Sequence, residues 1–149
     1  MSSLRCGFIG LGAMGRPMAG HLAARGLLAV VGNRSVDKAE TLASELGVRS
    51  AHSASDFADC DVVALCVTAD ADVLANVDAL AEVLRAGSVV IDHSTVSSTT
   101  AQSAAKRLAV KGIGFLDAPV HRLSRCAGLR RRRRRHQRQV VDHGRRQRE

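Results

Sequence analysis

The string Gly10-Leu11-Gly12-Ala13-Met14-Gly15 stands between an apolar run and an amphipathic segment, and it restricts the local fold more than any other part of the chain. Glycine at position 10 permits a tight strand-to-helix turn. At position 12 it lets backbone approach an anion with no Cβ in the way, and at position 15 it lets helix and strand pack closely. The helix that follows offers free N–H donors and the positive end of its dipole. Glycine-rich turns are common and many bind nothing, so the flanks decide what this one means. Leu4–Ile9 reads as a buried strand, and 13–25 places Met14, Met18 and Leu22 at i, i+4 and i+8 on one helix face. Gly26 suits a C-cap, and Pro17 falls in the first turn or so, where a missing N–H costs little. A second apolar run, Leu27–Val31, completes strand–helix–strand within about thirty residues. Residues Gly10, Leu11, Gly12, Ala13, Met14 and Gly15 are therefore candidates to hold a dinucleotide pyrophosphate.

The tip of the second strand in such a unit meets the adenosine ribose. A carboxylate there bonds the 2′-hydroxyl of NAD, whereas an arginine accommodates the 2′-phosphate of NADP. This chain has Asn33-Arg34-Ser35 at that tip. No carboxylate stands ready to repel a phosphate, and the guanidinium of Arg34 can meet one with two parallel N–H bonds. NADP(H) is accordingly expected in preference to NAD(H). The same three residues also suit a turn into a helix with Ser35 as N-cap and Asp37 in its first turn, and both roles are compatible.

The charge divides the chain in two. Residues 1–120 carry ten Lys and Arg against twelve Asp and Glu, whereas residues 121–149 carry twelve against two. Up to Val120 apolar strands alternate with amphipathic helices, which predicts one α/β domain built on a doubly wound, mostly parallel Rossmann-type sheet. After His121 the periodicity stops, Arg130–Arg135 is an unbroken arginine run, and the segment is expected to be disordered in isolation. No stretch approaches the apolar length of a membrane span and the N-terminus lacks the layout of a signal peptide, so a cytoplasmic protein is expected. Cys6, Cys60, Cys66 and Cys126 show no metal or redox spacing, and the six histidines show no paired spacing for a metal.

Further along, 37–46 reads as a helix, Val48 opens a short strand, and 53–57 reads as a helical turn. A strand over 61–67 then leads into a helix over 72–84. Val67 closes the central strand, at the edge where doubly wound sheets bind ligands. Ser88–Ile91 delivers Asp92-His93-Ser94-Thr95 to the same edge. Ser94 and Thr95 are candidates to face the ligand, Asp92 suits a side-chain bond that fixes the turn, and His93 reads as a loop residue. Ser97 or Ser98 caps a helix over 99–110, and a last strand, Ile113–Leu116, runs into Asp117-Ala118-Pro119-Val120.

With GFIGLGAMGRPMA, NRS, IDHSTVSS and FLDAPV in this order, residues 5–120 resemble the β-hydroxyacid dehydrogenase family, which includes 3-hydroxyisobutyrate dehydrogenases and semialdehyde reductases and is related to 6-phosphogluconate dehydrogenase. The resemblance implies hydride transfer between NAD(P) and a small β-hydroxy acid or semialdehyde. It implies Gly10–Gly15 at the pyrophosphate, Asn33, Arg34 and Ser35 at the adenosine end, Val67 and its neighbours at the middle of the cofactor and Thr95 on the nicotinamide side; Ser94, at the same strand tip, is the candidate substrate contact. Beyond Val120 the family's Ser-Gly-Gly loop and catalytic lysine do not appear. The last lysine is Lys111, so no catalytic residue is assigned.

The segment 121–149 is expected to be an out-of-frame reading of a GC-rich gene, truncating the family pattern. Two other functions are weighed: a module that binds the cofactor without turning anything over, and non-specific nucleic-acid binding through the arginines. A sheet side left uncovered by the missing continuation predicts self-association.

Overall fold

The computed structural model describes residues 3–120. Its valine- and leucine-rich runs form six strands, β1 (Cys6–Ile9), β2 (Leu28–Gly32), β3 (Arg49–Ser50), β4 (Val62–Leu65), β5 (Val89–Asp92) and β6 (Gly114–Asp117). Between them lie α1 (Gly15–Ala24), α2 (Val36–Leu46), α3 (Asp70–Val83) and α4 (Ser98–Ala109), with a 3-10 turn over Ala54–Phe57. All pairings are parallel, and the strand order is β3-β2-β1-β4-β5-β6. The chain winds outward from β1 to β3, then returns to β4 on the other side of β1. That reversal opens a crevice beyond the C-terminal ends of β1 and β4, the place where such sheets bind ligands.

Successive strand residues point to opposite faces, so β1, β2 and β4 each feed two cores. Phe8, Val31 and Ala64 pack with Ala19 of α1 and with Ala39 and Leu42 of α2. Ile9, Val30, Val63, Leu65 and Val90 pack with Val73, Val77 and Leu80 of α3 and with Ala104 and Leu108 of α4. Each fully buried Val, Leu, Ile or Phe side chain among these contributes about 1.5–3 kcal/mol of apolar burial. Phe57 fills the gap left by two small strand residues, since a Cβ at Gly7 would sit 2.5 Å and one at Gly32 3.0 Å from its ring.

Three helix starts differ in informative ways from the sequence expectation. Helix α1 begins at Gly15 rather than at position 13, because 12–14 form a turn in which Arg16 N–H donates to Gly12 O at 3.0 Å. Of Ser97 and Ser98, Ser97 is the cap of α4, its Oγ accepting from Thr100 N–H at 3.2 Å. Helix α3 starts at Asp70, two residues early. The Asp70 carboxylate accepts from Ser97 N–H at 3.1 Å, Ser97 Oγ at 2.8 Å and Thr100 Oγ1 at 2.6 Å, which joins the starts of α3 and α4 and holds its carboxyl below the usual range. Gly26 closes α1 in the left-handed region, at φ +68°.

The face covered by α1 and α2 is bare beyond β4. Phe115 packs toward α4, so its neighbour Leu116 points to the other side, where it is 56% exposed on the edge strand β6. No helix of the described residues is long and apolar enough to cross a membrane, and no group of metal-ligating side chains occurs among them. Cys6 and Cys60 are buried thiols, and burial pushes the Cys60 thiol up to about 11, which makes it inert near neutral pH. The arginine-rich segment 121–149, with Cys126 and the nucleic-acid reading attached to it, lies outside the described residues.

Candidate cofactor site

The three glycines of the opening turn occupy three different environments. Gly10 adopts φ +98°, and a Cβ there would lie 2.1 Å from Cys66 O. Gly15 is buried, and a Cβ there would lie 1.8 Å from Gly10 O. Gly12 is exposed with nothing within 4 Å of the Cβ position, so its backbone is open to an approaching group. Leu11 N–H donates to Asn33 Oδ1 at 3.0 Å, which ties this turn to the tip of β2. The N–H groups of Gly12, Ala13 and Met14 donate to no group among the described residues. Three successive free donors ahead of α1 form an anion-binding concavity, reinforced by the helix dipole.

A cleft of about 580 Å³ runs from this turn along the ends of β2 and β4. Gly10, Leu11, Gly12, Asn33, Arg34, Ser35 and Val67 all line it. Asn33 Nδ2 also donates to Ser35 O at 3.3 Å, so its amide shapes the rim and leaves little for a ligand. Ser35 sits at the N-cap of α2, yet its hydroxyl makes no capping bond. Arg34 projects into solvent, with 87% of its side chain exposed. Ala13, Met14 and Gly15 border the turn without lining the cleft.

The cleft also holds residues that the sequence did not single out. Lys38, one helical turn beyond Ser35, stands on the rim with Arg34. Ala51 and Ala54, together with Ala75 and Ala79 of α3, give the cleft an apolar stretch, and His52 and Asn76 also line it. Lys38 has a local signal, a cation three positions after Ser35. The α3 wall has none, because only the crossover from β3 to β4 brings it to the same cleft.

The expected ligand-facing pair, Ser94 and Thr95, divides. Ser94 is buried, its Oγ accepting from Val67 N–H at 2.9 Å, so its hydroxyl is engaged by the backbone beyond β4 and holds the cleft wall in place. Thr95 is exposed and stands outside the residues lining the cleft. Asp92 fixes this turn, accepting from Ser94 N–H at 2.9 Å through Oδ1, while the buried Oδ2 has no partner. His93 Nδ1 lies 2.9 Å from Ala118 O, which pins the ends of β5 and β6 together.

Burial pushes the Asp92 carboxyl above the ordinary aspartate range, partly offset by its bonds to Ser94. The folded protein therefore holds this proton more tightly than the unfolded chain does. Stability from that proton is present below about pH 4 and is lost as pH rises through the folded pKa. Thermal melts of wild type and Asp92→Asn at several pH values should show the difference moving in favour of the variant as pH rises above about 4, through the raised folded pKa. A difference independent of pH would contradict a raised Asp92.

Six parallel strands, a glycine turn with free donors and a crevice at the strand reversal define the class: a dinucleotide-binding domain of the doubly wound type. Residues 5–124 match the family described as the NAD binding domain of 6-phosphogluconate dehydrogenase, and the chain belongs to that family. It is an NAD(P)-binding domain similar to that of 3-hydroxyisobutyrate dehydrogenase-like oxidoreductases. A probable mitochondrial 3-hydroxyisobutyrate dehydrogenase-like protein of Arabidopsis thaliana is 36% identical over 124 residues, covering 80% of this chain and 37% of that protein. The structure of a Mycobacterium tuberculosis 3-hydroxyisobutyrate dehydrogenase with L-serine superposes with a TM-score of 0.75 at 28% identity, covering 81% of this chain and 42% of that one. A structure of Psf3 with NADP+ and 2-OPP superposes with a TM-score of 0.70 at 29% identity, covering 78% and 43%. This chain thus spans less than half the length of each.

Proposed function

We propose that this domain takes NADP(H) in preference to NAD(H) and serves hydride transfer between the nicotinamide and a small β-hydroxy acid or semialdehyde. The observation that carries the cofactor preference is the rim of β2: Arg34 and Lys38 stand together on the cleft, and the carboxylate expected for a 2′-hydroxyl is absent from positions 33–35. The NADP+ complex of a structure 29% identical to this chain supports it. In this reading Gly12, Ala13 and Met14 donate to the pyrophosphate, and Arg34, Ser35 and Lys38 take the 2′-phosphate. The apolar stretch of Ala51 and Ala75 takes the adenine, Val67 flanks the middle of the cofactor, and Thr95 stands toward the nicotinamide. The bound cofactor supplies the hydride, and the chain's own residues bind and orient it.

A second reading is cofactor binding without turnover, since Lys38, on the adenosine rim, is the one lysine among the residues lining the cleft. Semialdehyde reduction assayed beside cofactor binding separates the two readings. The free thiols Cys6, Cys60 and Cys66 accord with a reducing compartment such as the cytoplasm. The cofactor preference is tested by titrating wild type and Arg34→Ala with NADPH and NADH. Loss of a charge-assisted contact to the phosphate should weaken NADPH about tenfold and leave NADH unchanged. Equal effects on both cofactors would refute the assignment.

A further inference from the structure

We propose that Asp72 is a specificity-determining residue that competes with the cofactor's 2′-phosphate for Arg34 and so sets the NADP:NAD preference below what Arg34 and Lys38 alone would give. The inference rests on the cofactor reading above. Arg34 reaches from the β2 rim across the cleft mouth, where its Nη1 lies 3.9 Å from Asp72 Oδ1 on α3. Both residues line the same cleft, Arg34 from the loop after β2 and Asp72 from the first turn of α3. Two acids occupy the first turn of α3, but they face different tasks. Asp70 is held by Ser97 and Thr100, whereas the Asp72 carboxylate accepts no hydrogen bond among the described residues, Asn76 donating to its backbone oxygen instead. Asp72 is thus the acid left facing the adenosine end.

The physical consequence is a competition between anions. A 2′-phosphate must displace the carboxylate from Arg34 or share the guanidinium with it, and it then stands near a like charge. A 2′-hydroxyl meets neither opposition, so the carboxylate penalises NADP(H) selectively. Asp72 also sits favourably at a helix N-terminus, a role that predicts an effect on stability alone.

The test uses the full chain titrated with NADPH, NADH and adenosine 2′,5′-bisphosphate, in wild type, Asp72→Asn, Arg34→Ala and the double variant. Asp72→Asn should tighten NADPH and the bisphosphate about two- to fivefold, leaving NADH unchanged. The gain should vanish in the Arg34→Ala background and shrink at about 0.5 M salt, since Arg34 is exposed and Asp72 is partly accessible. Unchanged or weaker NADPH binding by Asp72→Asn, or the same gain without Arg34, overturns the proposal. The two readings fail separately. A wild type without NADPH preference that Asp72→Asn converts to one with it refutes only the wild-type preference, and a preference indifferent to Asp72 refutes only the competition.

Discussion

Gly15→Ala is expected to cost the domain about 3 kcal/mol or more, lowering its melting temperature by about 10 °C. The added methyl would lie 1.8 Å from Gly10 O and 3.1 Å from the Phe8 ring. The first contact is with backbone, which cannot swing aside as a side-chain tip can. Relief requires α1 to lift off β1, which opens the core shared by Phe8 and Ala19. Gly20→Ala is the matched control, since nothing lies within 4 Å of the Cβ position at Gly20 and it sits in the same helix. Alanine there should be neutral or stabilising, by up to about 1 kcal/mol from helix propensity. Thermal unfolding of the two variants side by side checks the argument, and a Gly15→Ala melt within a few degrees of wild type would contradict it.

Gly12→Val should show the opposite pattern, with folding intact and cofactor affinity lost. Its Cβ position is open and Gly12 is not among the glycines with positive φ, so the melting temperature should stay where it is in wild type. The branched side chain would nevertheless stand over the free N–H groups of positions 12–14. Two charge-assisted hydrogen bonds lost or lengthened amount to about 3 kcal/mol, hence about a hundredfold weaker NADPH and NADH alike. Fluorescence titration beside a melt reads both quantities. A variant that unfolds, or one that binds at wild-type strength, would show that the turn does something else. Together with Arg34→Ala, which should discriminate between the cofactors, Gly12→Val separates the shared diphosphate grip from the adenosine rim.

What could be read in the sequence was what depends on neighbours along the chain. The glycine turn, the closure of α1 at Gly26 and the helix face carrying Met18 and Leu22 are each set by residues a few positions apart, and the structure shows each of them. The boundaries that moved depend on distant partners. Asp70 starts α3 early because Ser97 and Thr100 reach it from another helix, a contact across 27 and 30 positions. The direction of Ser94 was hidden for the same reason. A hydroxyl at a strand tip suits either a ligand or a backbone donor, and the donor here, Val67 N–H, belongs to a neighbouring strand end. The apolar stretch of the cleft is a product of strand order, so no local pattern announced Ala75 or Ala79.

The bond from Leu11 N–H to Asn33 Oδ1 joins two loops separated by 22 positions. It makes the seat for the diphosphate and the seat for the adenosine a single clasp rather than two independent ones. A ligand arriving at such a clasp freezes few backbone torsions that were loose beforehand, so less of its gross attraction is cancelled by lost disorder. Damage at one end should also travel. Any change that frees Leu11 from Asn33 ought to loosen the hold on both halves of the dinucleotide at once.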